Sequence, residues 1–337
     1  MIKIGQIGIG HNHGEAKMLT AKKFPELFEI VGYAEENQSW LKNRENNKGY
    51  QGLKRYSVDE LIDKCDAILV ETDVWDLTKV AQKCIDAGKH IHIDKPASGT
   101  LEEYKTMLDS AKAKNLVVQL GYMYRYNPSI KKTFEMIKNG ELGSIHSINA
   151  EMSTRHLDDY RKWLNHFSGG NMYIFGSHLI DLIILLLGKP NEVSSNIVSS
   201  NVNGVSSPDI TSATLKYDNA LARVFVSSVE CNGWGRRSFS VAGSEGTVEI
   251  RPLEVPVRMT VAKKGDGNEY FDDYAKIVDT ISLPDSERYD EMMKDFYSFI
   301  VGEKSNPYTY EHEYAVQEVL DKVVGGVKYY EDIGKKR

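Results

Sequence analysis

Apolar residues in the first third of the chain fall into short runs that alternate with stretches of helical spacing. Ile2 to Gly8, Phe28 to Ala34, Ala67 to Val70, His90 to Asp94 and Leu116 to Leu120 read as buried strands bounded by turn residues. A helix-compatible run, Glu15 to Lys22, follows the first strand. Ser57 to Lys64, Leu77 to Ala87 and Thr100 to Lys114 read as further helices, and the pairs Ser57/Glu60 and Thr100/Glu103 have the spacing of a capping box. Strands alternating with helices at this interval predict a doubly wound parallel sheet of the Rossmann type.

From about residue 127 the pattern changes. Ser129 to Lys138 is an amphipathic helix, with Ile130, Phe134 and Ile137 on one face. Ile145 to Met152, Glu192 to Val202, Ile210 to Tyr217, Ala220 to Val229, Ser238 to Ala242, Thr247 to Ile250 and Val257 to Ala262 then read as strands. Few helices interrupt them, which predicts a large, open, mostly antiparallel sheet. Within this half, the stretch after Gly169-Gly170 ends in a helix with His178, Asp181, Leu182 and Leu185 on one face. Ser286 to Val301 (Tyr289, Met292, Met293, Phe296, Ile300) and Glu311 to Tyr330 (Val316, Val319, Leu320, Val323, Val327) are packing helices. The expected division is a dinucleotide-binding domain over residues 1–123 and a substrate and oligomerisation domain over 124–337.

Composition narrows the function classes. The 337 residues are 41% hydrophobic, enough for a substantial core, and the net charge of −6 argues against nucleic acid or an anionic membrane as partner. No apolar run approaches the length of a bilayer span, the chain does not open on a basic-then-apolar leader, and Cys65, Cys84 and Cys231 lack metal or redox spacing. A cytoplasmic protein without a metal centre is expected.

Two segments carry the candidate chemistry. Gly8-Ile9-Gly10-His11-Asn12-His13-Gly14 lies between the first strand and its helix, the place where a pyrophosphate meets free N–H groups at a helix N-terminus. Gly8 allows the tight turn and Gly10 a close backbone approach, while His13 holds the slot of the usual third glycine. Glu35, at the end of the second strand, suits the ribose hydroxyls. The other segment is Asp94-Lys95-Pro96, where Pro96 ends a strand and leaves Lys95 at its carboxyl end. A lysine there can be partly desolvated and used to give or take a proton.

These motifs, with Gly121-Tyr122-Met123-Tyr124-Arg125-Tyr126-Asn127-Pro128, Gly140-Glu141-Leu142-Gly143, Gly169-Gly170, His178-Leu179-Ile180-Asp181 and Gly243-Ser244-Glu245-Gly246-Thr247, resemble the Gfo/Idh/MocA oxidoreductases over most of the chain. That family includes glucose–fructose oxidoreductase and inositol 2-dehydrogenase. The resemblance implies Lys95 beside the nicotinamide in proton transfer and His178 against the substrate hydroxyl or carbonyl. It implies a cofactor site of Gly8, Gly10, His11, Asn12, His13, Glu35, Thr72, Lys95 and Pro96, and an open sheet used for subunit association.

The chain departs from the family pattern at two places. Ile174 stands where an aspartate is expected four residues before His178, which removes a carboxylate that would favour the charged lysine. Glu71-Thr72-Asp73-Val74-Trp75 replaces the usual loop after the third long strand, so its contacts do not carry over. Tyr126, Arg161 and Tyr173 are further substrate-binding candidates, Arg161 in a stretch (155–163) rich in groups that bind anions or stack on sugars. The resulting expectation is an oxidoreductase that moves a hydride between NAD, rather than NADP, and a sugar, cyclitol or related hydroxy/keto compound, working as a homodimer or homotetramer. A redox-neutral NAD-using glycosidase and a catalytically silent NAD/sugar-binding protein are the alternatives.

Overall fold

The computed structural model of the protein describes residues 1–254, 257–265, 276–282 and 287–326. The chain divides into two compact units, one of residues 1–123 with 287–317, the other of 124–286 with 318–337.

The first unit is built on six parallel strands: β1 (Ile2–Ile7), β2 (Phe28–Ala34), β3 (Arg55–Tyr56), β4 (Ala67–Val70), β5 (His90–Ile93) and β6 (Val118–Leu120). Their order is β3-β2-β1-β4-β5-β6, the expected doubly wound sheet. Helices α1 (Gly14–Lys22), α2 (Gln38–Arg44), α3 (Val58–Lys64), α4 (Leu77–Asp86) and α5 (Leu101–Ala113) connect them. Both capping boxes form, Ser57 with Glu60 and Thr100 with Glu103. Neither α2 nor the two-residue β3 was foreseen, because Leu41 is the one buried residue of α2 and so short a helix shows no apolar face. Strand order reverses at β1, with β2 on one side and β4 on the other, and such a switch point opens a crevice at the strands' carboxyl ends.

Residues 287–317 join this unit, whereas the sequence reading placed them in the second domain. Packing decides it: Met293 and Phe296 of helix Asp290–Ile300 share a core with Ile2, Ile4, Phe28 and Leu69. The other C-terminal helix ends at Val324, and the expected positions Ser286, Val327 and Tyr330 lie outside the described residues.

The second unit contains an eight-stranded sheet: β7 (Ile145–Glu151), β8 (Glu192–Val198), β9 (Ile210–Lys216), β10 (Leu221–Ser227), β11 (Ser238–Gly243), β12 (Gly246–Ile250), β13 (Arg258–Lys263) and β14 (Lys276–Ser282). The order is β14-β13-β12-β11-β7-β10-β9-β8, antiparallel throughout except for the β7–β10 pair. β8 stops at Val198 rather than near Val202, because Asn201 and Asn203 take left-handed backbone angles that break the ladder. Helix α6 (Pro128–Lys138) precedes the sheet, and α7 (Asp158–Leu164) and α8 (Ser177–Leu187) fall between β7 and β8. Along β10 burial alternates cleanly, so Leu221 and Phe225 belong to an open face, on which 51% and 36% of their surfaces are exposed. Among the described residues, no helix is long and apolar enough to cross a membrane.

Candidate functional site

In the first unit the glycine loop emerges at the switch point. Gly8 has φ +89°, and a Cβ there would lie 2.5 Å from the backbone of Glu71 and Thr72, so only glycine lets β1 and β4 end this close. At Gly10 the added Cβ would instead meet the Trp40 indole at 2.5 Å. Helix α1 then starts at Gly14. The Glu35 carboxylate turns back onto the loop, accepting from Ile9 N–H at 2.9 Å and from Asn37 N–H at 2.8 Å. Among the described residues, the N–H groups of Gly10 and Asn12 have no protein acceptor. A turn only glycine can make, open N–H groups before a helix and a carboxylate at the second strand's end fit a dinucleotide.

Beneath the loop lies a charge cluster that the sequence reading did not single out. The Lys17 ammonium, fully buried, is 2.7 Å from Glu71 Oε1 and 2.7 Å from Asp94 Oδ2. The same Asp94 oxygen lies 3.1 Å from Nδ1 of both His11 and His13. Burial alone would raise the Asp94 carboxyl, but His11, Lys17 and His13 together hold it well below the usual carboxylate range. Burial raises Glu71 well above that range; Lys17 opposes this and the neighbouring Asp94 adds to it. Burial would also discharge Lys17, yet the two carboxylates raise its pKa instead. His11, His13 and Asp94 do bring metal-type donors together, but the Lys17 ammonium already shares the Asp94 oxygen and repels a second cation.

Lys95 follows directly. Its N–H donates to Asp94 Oδ1 at 2.6 Å, its peptide bond to Pro96 is cis, and the residue is 3% exposed. Reciprocal hydrogen bonds between Thr78 and Ser98 pin the turn behind Pro96. His13 titrates near 4, lowered first by burial and further by the charges of His11 and Lys95, with Asp94 opposing. Thr72 is half-buried in the loop after β4, its hydroxyl donating to the Asp73 carbonyl. His92, on β5 beside Gln119, is lowered to about 3 by burial and by Lys17. Of the cofactor candidates, the structure therefore gathers Gly8, Gly10, His11, His13, Glu35 and Lys95 around one loop.

In the second unit, Arg125 donates to both oxygens of Asp181, at 2.9 and 2.6 Å, and the pair is buried. Asp181 lies one turn beyond His178 on α8. The His178 ring is 1% exposed, with its centroid 5.2 Å from that of Tyr124, and the Tyr124 hydroxyl donates to Glu254 at 2.5 Å. Arg237 also bonds Glu254, as well as Thr154 and the Ser153 carbonyl. Ile174 and Tyr173 fall in a π-helical turn, Met172–Gly176, which leads into α8. A π turn is rare and often marks a functional position. Tyr173 is buried and stacks on Phe167, and Tyr126 is 7% exposed.

Arg161 is placed differently from the anion-binding role expected of it. Its guanidinium is 1% exposed and donates to Asp209, Asp158 and the Val202 carbonyl, tying α7 to the loop after β8. The nearby aromatic residues face one another: His156 stacks on Tyr160 and on Phe175, with centroids 4.8 and 4.9 Å away, and those two rings lie 6.3 Å from each other. Burial, followed by Arg237 and Arg161, lowers His156 to about 4.

Comparison with known proteins agrees with this architecture. An NAD-binding Rossmann-fold model of an oxidoreductase family matches residues 2–122, and the C-terminal alpha/beta domain model of the same family matches 134–325. The chain belongs to the Gfo/Idh/MocA oxidoreductase family. Its relatives include glucose-6-phosphate 3-dehydrogenase of Bacillus subtilis, 29% identical over 60% of this chain and 59% of that one. Another is the scyllo-inositol 2-dehydrogenase (NADP(+)) IolW of Bacillus subtilis, 26% identical over 43% of this chain and 41% of that one. The matched stretches span about half the length of these curated family members. Levoglucosan dehydrogenase, solved with NADH and levoglucosan, superposes with a TM-score of 0.79 at 21% identity, covering 96% of each chain, which establishes the shared fold.

Two outcomes follow from the charge cluster. Lys17→Met leaves two buried carboxylates facing each other and is expected to lower stability by about 3–5 kcal/mol in urea denaturation; a loss below about 1 kcal/mol would show that the cluster relaxes without its ammonium. His92 has a folded pKa of about 3, below the ordinary 6.5, so the unfolded chain takes up the proton first. Its contribution is fully present above about pH 6.5 and is lost as pH falls toward 3, by up to about 1.4 kcal/mol per pH unit. Between pH 6.5 and 4.5, stability of His92→Gln should fall less steeply than wild type by about one proton; equal slopes would contradict this.

Proposed function

We propose that the protein is an NAD-dependent oxidoreductase that transfers a hydride between the nicotinamide and a sugar, cyclitol or related hydroxy/keto compound, with Lys95 moving the proton. One observation carries the reading: the buried Asp94 carboxylate bonds the N–H of Lys95 and lies against the two histidines of the glycine loop, so the proton-transfer candidate and the pyrophosphate cradle are held as one piece.

The bound nicotinamide supplies the hydride exchange; the protein binds, orients and handles the proton. Gly10 and Asn12 offer N–H groups to the pyrophosphate, and Glu35 accepts from the ribose hydroxyls. Lys95 Nζ takes the hydroxyl proton in oxidation and returns it in reduction. Thr72 and Pro96 shape the walls beside it. His178 is the candidate for the substrate oxygen, and Tyr126 and Tyr173 are the candidates for further substrate contacts. Arg161 acts as a brace for that unit's loops, its donors being engaged. Ile174 favours a second reading, a silent NAD/sugar-binding protein, because no carboxylate stands at that position. The free Cys65 and Cys84 thiols suit a cytoplasmic setting.

A screen of sugars, cyclitols and sugar acids for NADH formation tests the activity. With the best substrate, Lys95→Met should lower kcat by roughly 10²–10⁴ while the Kd for NAD stays within about twofold. NAD should exceed NADP in kcat/KM by about ten- to a thousand-fold, since a 2′-phosphate would meet Glu35 and Glu36 at a cost of about 1–4 kcal/mol. An unchanged kcat in Lys95→Met would remove the lysine from the chemistry, and parity of the nucleotides would remove Glu35 from the ribose. Sugar release without net NADH would point instead to a redox-neutral glycosidase, and NAD binding with neither to the silent reading.

The open sheet face supports self-association. Val198, Leu221 and Phe225, which the strand register puts on one face, are exposed by 52%, 51% and 36%, and an apolar patch of this kind calls for a cover. A homodimer or homotetramer is expected by light scattering at micromolar concentration; a monomer there would refute it.

A further inference from the structure

Folding spends Arg161, but the arginine six positions before it stays open. In the second unit the chain leaves the parallel strands β7 and β10 on the same side, and the two exits run together: Thr154 N–H donates to the Ser227 carbonyl at 2.8 Å and His156 N–H to the Ser228 carbonyl at 2.9 Å. Residues 151–163 and 227–237 carry five cations between them, and four have a carboxylate. Arg161 has Asp209 and Asp158, Lys162 has Asp159, Arg236 has Glu230 at 2.6 Å, and Arg237 has Glu254. Arg155 has none among the described residues. Its exposed guanidinium donates to the Cys231 sulfur at 2.9 Å, while the nearby Glu151 and Glu230 lie with Arg236. Sulfur is a weak acceptor, so Arg155 keeps its capacity to grip an oxyanion with two donors.

An aromatic ring is held on the same shelf. A Cβ at Gly233 would lie 2.6 Å from Thr154 N and 2.8 Å from the Ser153 carbonyl carbon, so only glycine lets the loop after β10 rest on this segment. Trp234 follows it and is 45% exposed, with the Arg237 guanidinium carbon 3.9 Å from its ring centroid. Arg237 also donates to the Ser153 carbonyl at 3.2 Å and to Thr154, the residue before Arg155. Its carboxylate partner, Glu254, accepts from the Tyr124 hydroxyl, and Tyr124 lies against the His178 ring. One network thus ties the candidate for the substrate oxygen to an open indole and to an arginine without a counter-charge. A half-open aromatic ring and a single free guanidinium are complementary to a sugar ring that carries an anion.

We propose that Arg155 and Trp234 select an anionic sugar, a sugar phosphate or a sugar acid, as the substrate, with the guanidinium on the phosphate or carboxylate oxygens and the indole against the sugar ring. This rests on the hydride-transfer reading above and narrows its substrate class. Uncharged sugars and cyclitols would leave Arg155 without its ligand.

Calorimetric titration of the protein–NAD complex with glucose and galactose, each as the free sugar, the 6-phosphate and the uronate, tests the assignment. One anionic series should bind at least about tenfold more tightly than the free sugars, with an advantage that shrinks as salt is added. Arg155→Gln should weaken that series by roughly ten- to a hundredfold, the worth of a hydrogen bond to a charged group, and flatten its salt dependence. Arg155→Lys should recover only part of the loss, since an ammonium cannot reproduce the two-pronged grip. Trp234→Leu should weaken charged and free sugars alike by about two- to tenfold. Arg155 is exposed, so its variants keep the test valid if Trp234→Leu fails to fold. A preference for phosphate or for carboxylate supports the inference and identifies the anion. Wild-type protein that binds no NAD would overturn the cofactor reading and this inference with it. Protein that binds NAD but favours neither anion over the free sugars, or an Arg155→Gln variant of full affinity, would overturn this inference alone.

Discussion

A single buried ammonium shared by two carboxylates sets the arrangement of the cofactor-binding unit. Taking Lys17, Glu71 and Asp94 out of water costs several kcal/mol per charge, and the cluster is tolerable because the opposite charges lie 2.7 Å apart and the negative charge settles on Asp94. Each partner comes from a different element: Lys17 from α1, Glu71 from the end of β4, Asp94 from the end of β5. Their attraction draws the glycine loop, the loop after β4 and the Lys95 turn to one point. Asp94 has a second task there, because its other oxygen takes the N–H of Lys95. A change in the charge state of this cluster would therefore be felt by the glycine loop and by the lysine together.

The second unit uses the same device with different partners. Arg125 and Asp181 form a buried two-pronged pair that fixes α8 against the segment leading out of the first unit's sequence, and Tyr124 carries the link from Glu254 and Arg237 to the His178 ring. The His178 ring thus lies against an aromatic neighbour that is itself anchored by a hydrogen bond. Just ahead of it, the π-helical turn widens the backbone at Ile174, the position where the resemblance led to the expectation of an aspartate. The unit has no carboxylate at that position, while the first unit keeps an ionised one, Asp94, immediately before Lys95.

Arg161 shows how residue type can mislead. An arginine in a stretch rich in aromatic and charged residues suggests anion recognition, yet its donors are spent on Asp209, Asp158 and a backbone carbonyl. The aromatic residues of the same stretch likewise stack on one another. Folding α7 back over the loop after β8 uses up the groups that seemed free when read along the chain.

Local physics was enough for the architecture. Strand-then-helix periodicity, the two capping boxes and the glycine turn after β1 depend on residues close in sequence, and each appears where its pattern predicted. The glycine at position 8 and the carboxylate at 35 were legible for the same reason: a motif of fixed spacing dictates where they fall. The Lys17 cluster was not legible, because its members are separated by 54 and 77 positions and only the parallel order of β1, β4 and β5 brings them together. Helix α2 was hidden by its shortness, since it buries a single residue. The placement of residues 287–317 was hidden because an amphipathic helix announces that it will pack but not against which sheet. The sequence by itself determined the elements, the family resemblance and the candidate lysine; the tertiary structure decided which charges meet, since pairing energy depends on distance in space and leaves no periodic trace along the chain.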